Sequence, residues 1–177
     1  KSLAALYIRQ KKLKEAENTY RLILDLSPSD AEAHFYLGNI YDESKNRQKA
    51  EQELKKAIEL KPDYAEALNY LGYLYVEENK NLEQAQAMIR KALEIEPDNG
   101  AYVDSLGWLY FKQGKIKEAM KELERAGLLL EDPVIYDHLG DAYLKTGDTE
   151  KAKLNWQKSL ELDPKQDKVK KKLDAIY

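Results

Sequence analysis

Apolar residues recur along this chain with the spacing expected on one face of an α-helix. In the segment AEAHFYLGNIYDE, Ala33, Leu37 and Ile40 fall on one helical stripe. In the next segment, QKAEQELKKAIEL, Ala50 and Leu54 begin a second stripe with the same spacing. Polar residues separate the two stripes, so the pattern predicts two helices joined by a short turn.

The helix pair is repeated along the chain. The dipeptide Leu-Gly begins at Leu37, Leu71, Leu106 and Leu139, which are 34, 35 and 33 residues apart, and a Tyr follows each Leu four positions later. Columns of Ala and Pro keep the same period, at Ala16, Ala50, Ala85, Ala119 and Ala152 and at Pro28, Pro62, Pro97 and Pro164. A period of this length predicts a solenoid, in which each unit buries its apolar face by stacking on the next.

Together, the aromatic, Leu-Gly, Tyr, Ala and Pro columns resemble the motif of the tetratricopeptide repeat (TPR) family over nearly the whole chain. The resemblance implies an all-α fold, a right-handed superhelical solenoid of antiparallel helix pairs. We predict a single TPR domain over residues 1–177, with four full repeats between an N-terminal half repeat and a C-terminal capping helix. The predicted boundaries are 1–30 for the half repeat, 31–64, 65–99, 100–132 and 133–164 for the full repeats, and 165–177 for the cap. Because the first unit begins inside its Leu-Gly column and no initiator Met is present, we expect a part of a longer protein.

Glycine in the Leu-Gly column predicts close contact between the two helices of a repeat. A glycine inside a helix costs about 1 kcal/mol relative to alanine, and its small size lets a neighbouring helix approach. We therefore expect Gly107 to face the second helix of its own repeat. Between the helices, Asn46, Gly114 and Gly147 are predicted to take the left-handed conformation that ends a helix.

Composition narrows the possible functions. The formal charge of -3 argues against nucleic acid as a partner, because phosphate binding needs a basic stripe. Charged residues make up 34% of the chain and no long apolar run occurs, so no segment is expected to span a membrane. The absence of Cys excludes disulfides, thiolate catalysis and the common zinc sites.

Two groups of polar residues raise the question of catalysis or metal binding. His138 lies next to Asp137 and three residues before Asp141, a helical spacing that can gather metal ligands, but no second cluster accompanies it. A polar helix face is the simpler interpretation. Ser105 follows Asp104 without a His at a predictable distance, so no nucleophile can be paired with a base. We expect no catalytic residues, no metal and no cofactor.

The resemblance also implies where partners bind. In TPR proteins the first helix of each repeat lines a concave groove, and the corresponding residues here include eight acids, two lysines and an apolar track. The residues predicted to bind a partner are Phe35, Asn39, Glu43, Asn69, Tyr73, Glu77, Asp104, Trp108, Phe111, Lys112, Asp137 and Asp141. This lining favours a protein or peptide that offers apolar and basic side chains. The alternative is that the aromatic residues, with Val76 and Leu144, pack between adjacent first helices.

The predicted function is a non-catalytic protein-protein interaction module, an adaptor or scaffold. Two alternatives stay open, an accessory TPR domain of a larger enzyme or envelope complex and a self-assembling scaffold. Co-chaperone TPR domains hold an acidic tail in a basic clamp, but the clamp positions here include Glu66, Ala101 and Val134, so such a tail is disfavoured. The last three full repeats, 65–99, 100–132 and 133–164, are repeats 3 to 5 when the half repeat is counted first. They resemble the C-terminal repeats of bacterial envelope TPR proteins, which implies a periplasmic or envelope location rather than a cytoplasmic one.

The final segment, KQDKVKKKLDAIY, predicts a short amphipathic helix. Val169, Leu173 and Ile176 form its apolar stripe, and five lysines surround them. Such a helix covers the apolar edge of the last repeat while it presents a polar face to water. The alternative is that the lysines bind an anionic surface or a lipid headgroup.

Overall fold

The computed structural model describes residues 2–176. The two end residues of the predicted domain, 1 in the half repeat and 177 in the cap, lie outside the described residues. Within 2–176 the chain forms eleven α-helices and no strand, which confirms the predicted all-α repeat fold. The helices are α1 (Ser2–Arg9), α2 (Leu13–Leu26), α3 (Ala31–Glu43), α4 (Arg47–Leu60), α5 (Ala65–Glu77), α6 (Leu82–Ile95), α7 (Gly100–Lys112), α8 (Ile116–Leu129), α9 (Pro133–Lys145), α10 (Thr149–Leu162) and α11 (Asp167–Asp174).

The chain divides into two compact units. The first unit, Lys1–Leu71, contains α1 to α4 and the beginning of α5. The second unit, Gly72–Tyr177, contains the rest of α5 and α6 to α11. Each of the four predicted full-repeat ranges contains one pair of helices, which we call helix A and helix B in chain order. None of the helices within residues 2–176 is long and apolar enough to cross a membrane.

The Leu-Gly column lies where helix A meets helix B of the same repeat. In the second unit, a Cβ atom placed on Gly107 would lie 2.8 Å from Cγ of Leu123 on α8. In the first unit, a Cβ on Gly38 would lie 2.7 Å from Cγ of Leu54 on α4. Both distances are too short for a larger side chain, so the predicted close contact of Gly107 is confirmed.

The turns between the helices are mostly as predicted. Gly114 and Gly147 have φ angles of 74° and 86°, which confirms their left-handed conformation. The prediction for Asn46 is wrong. Lys45 takes the left-handed conformation instead, with φ of 62°, while the Asn46 side chain accepts a hydrogen bond from the backbone N–H of Lys49. Asn46 is therefore the N-cap of the following helix, a position that a short acceptor side chain also favours.

The C-terminal helix α11 covers the end of the second unit. Its Val169 is buried and packs in one cluster with Ala152 and Trp156 of α10. Leu173 and Ile176 are partly buried against the same cluster. These contacts confirm the predicted capping helix, because its apolar stripe removes the side chain of Trp156 from water.

Candidate functional site

In the first unit, the predicted binding residue Phe35 lies in a group of aromatic rings. Its ring centroid is 5.1 Å from that of Tyr64 and 6.2 Å from that of Tyr70. Asn39 and Asn69 are half-buried, and the side-chain carbonyl oxygen of each is buried without a hydrogen-bond partner among the described residues. Glu43 is exposed at the end of α3. The A helices of the first unit therefore carry a half-buried aromatic ring and two buried acceptor oxygens without a hydrogen-bond partner among the described residues.

One acid of the first unit, Asp42, is bound by other side chains of the same unit. The hydroxyl of Tyr70 donates a hydrogen bond of 2.9 Å to Oδ2 of Asp42, and Nη1 of Arg47 lies 3.0 Å from Oδ1 of the same carboxylate. Burial, followed by the negative charge of Asp42, raises the pKa of the Tyr70 phenol above its ordinary value. Asp42 thus links two A helices and offers little unpaired charge to a partner.

In the second unit, Asp104 and Trp108 of α7 are buried against His138 of α9. The exposed fractions of Asp104, Trp108 and His138 are 5%, 6% and 4%. Nδ1 of His138 lies 3.0 Å from both carboxylate oxygens of Asp104. The imidazole stacks on the indole of Trp108 with ring centroids 4.0 Å apart and an angle of 9° between the ring planes. Two of the predicted binding residues therefore lie in the interior, between two A helices.

The other contacts of Trp108 lead from the interior to the surface. Its ring stacks on Phe111, with centroids 4.7 Å apart, and its Nε1–H donates a hydrogen bond of 2.7 Å to Oε1 of Glu77 on α5. Nζ of Lys112 lies 4.9 Å from the centroid of the indole. Phe111 is half-buried, whereas Glu77 and Lys112 are exposed. The partly or fully exposed members of this cluster are therefore one aromatic ring, one acid and one base, each in contact with Trp108.

Charge around His138 determines its protonation. Burial disfavours the imidazolium, but Asp104, through its charge and its hydrogen bond, and then Asp137 and Glu77 outweigh burial and raise the pKa of His138. Tyr73 of α5 is half-buried, and its ring centroid lies 6.4 Å from that of His138. The interpretation of His138 as part of a polar helix surface is wrong, because contact with α7 encloses the side chain.

A lysine of the C-terminal helix α11 pairs with the two remaining acids that were predicted to bind a partner. Nζ of Lys172 lies 2.6 Å from Oδ1 of Asp137 and 2.7 Å from Oδ1 of Asp141. Burial raises the pKa of Asp141, and the hydrogen bond and charge of Lys172 oppose that shift. Asp137 and Asp141 are half-buried. They form an ammonium site on α9 that the chain fills with its own lysine.

The structure also places the serine and the possible metal ligands that the sequence raised for other chemistry. Ser105 donates its hydroxyl hydrogen to the carbonyl of Ala101, 3.0 Å away within the same helix. Within residues 2–176, no group of three or more His, Asp or Glu residues is arranged to hold a metal ion. Of the apolar residues that the sequence placed beside the binding track, Val76 is buried and Leu144 is 41% exposed.

Sequence reasoning missed the pairing of Asp104 with His138. The two residues are 34 positions apart, whereas the Leu-Gly dipeptides of their own repeats, at Leu106 and Leu139, are 33 positions apart. Residues one repeat apart lie at similar heights on successive A helices of a stacked array. An acid on one helix A and a histidine one repeat later, within one position of the repeat spacing, were therefore the signal in the sequence that could have identified this pair.

Comparisons with known proteins agree with this architecture. Family models described as tetratricopeptide repeat match residues 7–71, 43–107, 77–137 and 133–166. A comparison with curated proteins gives no match.

Solved structures share the fold at low sequence identity. A TPR protein from Thermus thermophilus has a TM-score of 0.81 and 21% identity, with 98% of this chain and 95% of that chain covered. PilW, a type IV pilus biogenesis factor, has a TM-score of 0.80 and 23% identity over 90% of this chain and 74% of that chain. PilF from Pseudomonas aeruginosa has a TM-score of 0.75 and 21% identity over 90% of this chain and 73% of that chain. Because the family matches extend from residue 7 to residue 166, the chain belongs to the tetratricopeptide repeat family.

Proposed function

We propose that this chain is a non-catalytic adaptor or scaffold that binds a peptide segment or a partner protein along the A helices of its repeats. The observation that carries the proposal is the surface formed by Glu77, Phe111 and Lys112 in the second unit. There the half-buried ring of Phe111 and the two exposed charged side chains all contact the buried indole of Trp108. Aromatic rings held rigidly in this way are frequent energetic centres of protein interfaces.

The partner that suits this surface offers an apolar side chain beside a basic one. The apolar side chain packs on Phe111, and the basic side chain pairs with Glu77. The contact of Lys172 with Asp137 and Asp141 supports a basic partner, since α9 already binds an ammonium group of this chain. Charge pairs at the edge of an interface mainly accelerate association, whereas the packed aromatic ring slows dissociation.

The first unit offers a second set of contacts with different chemistry. The buried carbonyl oxygens of Asn39 and Asn69 have no hydrogen-bond partner among the described residues, and each can accept an N–H from a bound segment. Phe35 and the exposed Glu43 lie with Asn39 on α3, and Asn69 lies on α5. We propose that these residues bind the backbone and a basic side chain of a peptide segment at the first unit.

An envelope-associated role is part of the proposal. The support for it is the fold shared with PilW, a type IV pilus biogenesis factor, together with the resemblance of repeats 3 to 5 to bacterial envelope TPR proteins. Both support a bacterial adaptor that holds components of an assembly together.

The test is capture of partners by the immobilised chain, followed by titration of each captured protein against matched variants. Phe111→Ala is expected to weaken binding at least tenfold, because it removes the accessible aromatic ring. Glu77→Lys is expected to slow association, whereas Glu94→Lys, the same charge change on an exposed helix B residue, is expected to bind as the wild type does. Equal binding by Phe111→Ala and the wild type would contradict the proposed surface.

A further inference from the structure

The contact between Asp104 and His138 has the geometry of a charged hydrogen bond enclosed by protein. Nδ1 of His138 is equidistant, at 3.0 Å, from both oxygens of the Asp104 carboxylate. Both residues are at most 5% exposed, and one face of the imidazole is covered by the indole of Trp108. A buried histidine that stacks on an aromatic ring and faces a carboxylate has fixed partners whose contact depends on its charge.

The groups around His138 favour its protonated form on balance. Acids from three helices, two lysines and one phenol face His138 or its neighbour Trp108. They are Glu77 and Tyr73 of α5, Asp104 and Lys112 of α7, Asp137 and Asp141 of α9, and Lys172 of α11. Lys172 is paired with the two acids of α9, and Lys112 lies over the indole rather than at the imidazole. Asp104 is therefore the only charged group of this set in direct contact with the imidazole.

We propose that Asp104 and His138 form a protonation-controlled latch between α7 and α9. With both ring nitrogens protonated, the imidazolium binds the carboxylate through a charge-assisted hydrogen bond and holds the two A helices together. Loss of the proton from Nε2 leaves the Nδ1–H donor in place but removes the charge, so the latch weakens. His138 also covers one face of Trp108, and the indole of Trp108 stacks on Phe111. Loss of the proton from His138 therefore also changes the surroundings of the indole on which Phe111 packs.

The direction of the pH effect follows from linkage. The pKa of His138 in the folded chain lies above its ordinary value of 6.5, so the folded state binds the proton more tightly than the unfolded state. The latch therefore contributes its full stabilisation below pH 6.5. That stabilisation is lost as the pH rises through the pKa of the folded state.

Nuclear magnetic resonance of the whole chain tests the latch directly. The imidazole signals of the two histidines are assigned with His138→Gln and His34→Gln, and each is followed as a function of pH. We expect His138 to titrate above 6.5 and Asp104→Asn to move its midpoint downward, because that change removes the carboxylate charge. A midpoint of His138 below 6.5 in the wild type would overturn the proposal. The titration is made on the wild type, and one folded histidine variant is enough to assign its two imidazole signals.

Tryptophan emission provides a second readout, since a protonated imidazole quenches an indole stacked against it. Emission is expected to rise as the pH passes through the His138 midpoint in the wild type and in His34→Gln. The rise is expected to disappear in His138→Gln and in Trp108→Phe. A rise of equal size in His138→Gln and His34→Gln would contradict the latch.

The effect of the latch on partner binding rests on the proposed function, and the experiments separate the two. The titration and the emission change need no partner, so they remain decisive if no partner binds at Phe111. For a captured partner, the wild type is expected to change affinity across the His138 midpoint while His138→Gln does not. An affinity with the same pH dependence in both proteins would overturn the connection between the latch and the surface.

Discussion

The two units connect successive A helices through polar contacts of different chemistry. In the first unit, the phenol of Tyr70 donates to Asp42, a half-buried carboxylate that also pairs with Arg47. In the second unit, the imidazole of His138 faces Asp104 with both groups enclosed. Tyr70 and His138 both reach back to an acid on the preceding A helix. A phenol whose pKa is raised stays neutral throughout the physiological range, whereas an imidazole changes its charge near it.

This difference shows that a regular backbone array contains interfaces with distinct responses. The apolar and small residues that define the repeat are shared by all units, and they determine how the helices pack. The polar residue beside them differs from repeat to repeat without changing the packing. We therefore expect sensitivity to pH to differ between interfaces of the same fold.

The largest expected effect comes from removal of the buried acid. Asp104→Ala leaves the imidazole of His138 enclosed without its counter-charge, which is expected to cost about 3 to 5 kcal/mol of unfolding free energy at pH 6. Asp42→Ala, the corresponding change in the first unit, is expected to cost less because that carboxylate is only half-buried. Urea unfolding of both variants at pH 6 measures the difference. Equal losses would show that burial does not distinguish the two contacts.

Overpacking of the helix A to helix B contact is expected to have the next largest effect, and to be similar in both units. Gly107→Leu forces its side chain against Leu123, and Gly38→Leu forces its side chain against Leu54. Each is expected to lower the unfolding free energy by about 1 to 3 kcal/mol. Urea midpoints decide the matter, and an unchanged midpoint for Gly107→Leu would contradict the contact.

The smallest expected effect sharpens the comparison through pH. Tyr70→Phe removes one hydrogen bond and is expected to lower the free energy of unfolding by about 0.5 to 1.5 kcal/mol. The loss is expected to be the same at pH 6 and at pH 8. His138→Gln is expected to cost more at pH 6 than at pH 8, because the wild type loses the contribution of the imidazolium as the pH rises. Thermal melts of the two variants and the wild type at both pH values test this pattern. A pH-dependent cost for Tyr70→Phe would remove the distinction between the interfaces.

The sequence predicted the fold well because the fold depends on short-range periodicity. Gly107 identified the contact between α7 and α8 without any knowledge of its partner Leu123, since a glycine in a helix signals a close neighbour. Asn46 was misassigned by one position because Asn suits both the end of one helix and the start of the next. Such errors are confined to turns and leave the helices unchanged.

The candidate site was harder to predict, since its burial depends on neighbours one repeat away. An acid and a histidine on helix A are expected to face water when each helix is considered alone. Asp104 and His138 satisfy each other instead, and Trp108 is enclosed with them. Trp108→Ala is therefore unsuitable as a test of binding, because loss of its packing destabilises the unit. Phe111 is only half-buried and is the better residue to change, but it also packs against the core around Leu139, so the melting temperature of Phe111→Ala is compared with that of the wild type.

The lysine of α11 also influences what the last repeat can bind. A partner lysine that reaches Asp137 and Asp141 must first displace Lys172, which already holds both carboxylates. The measured affinity is then the difference between two similar contacts, so polycations that offer charge alone gain little. Only a ligand that adds an apolar contact to its charge is expected to gain binding free energy when it displaces Lys172. If partners bind at these acids, we therefore expect Lys172 to act as an internal competitor that disfavours binding by charge alone.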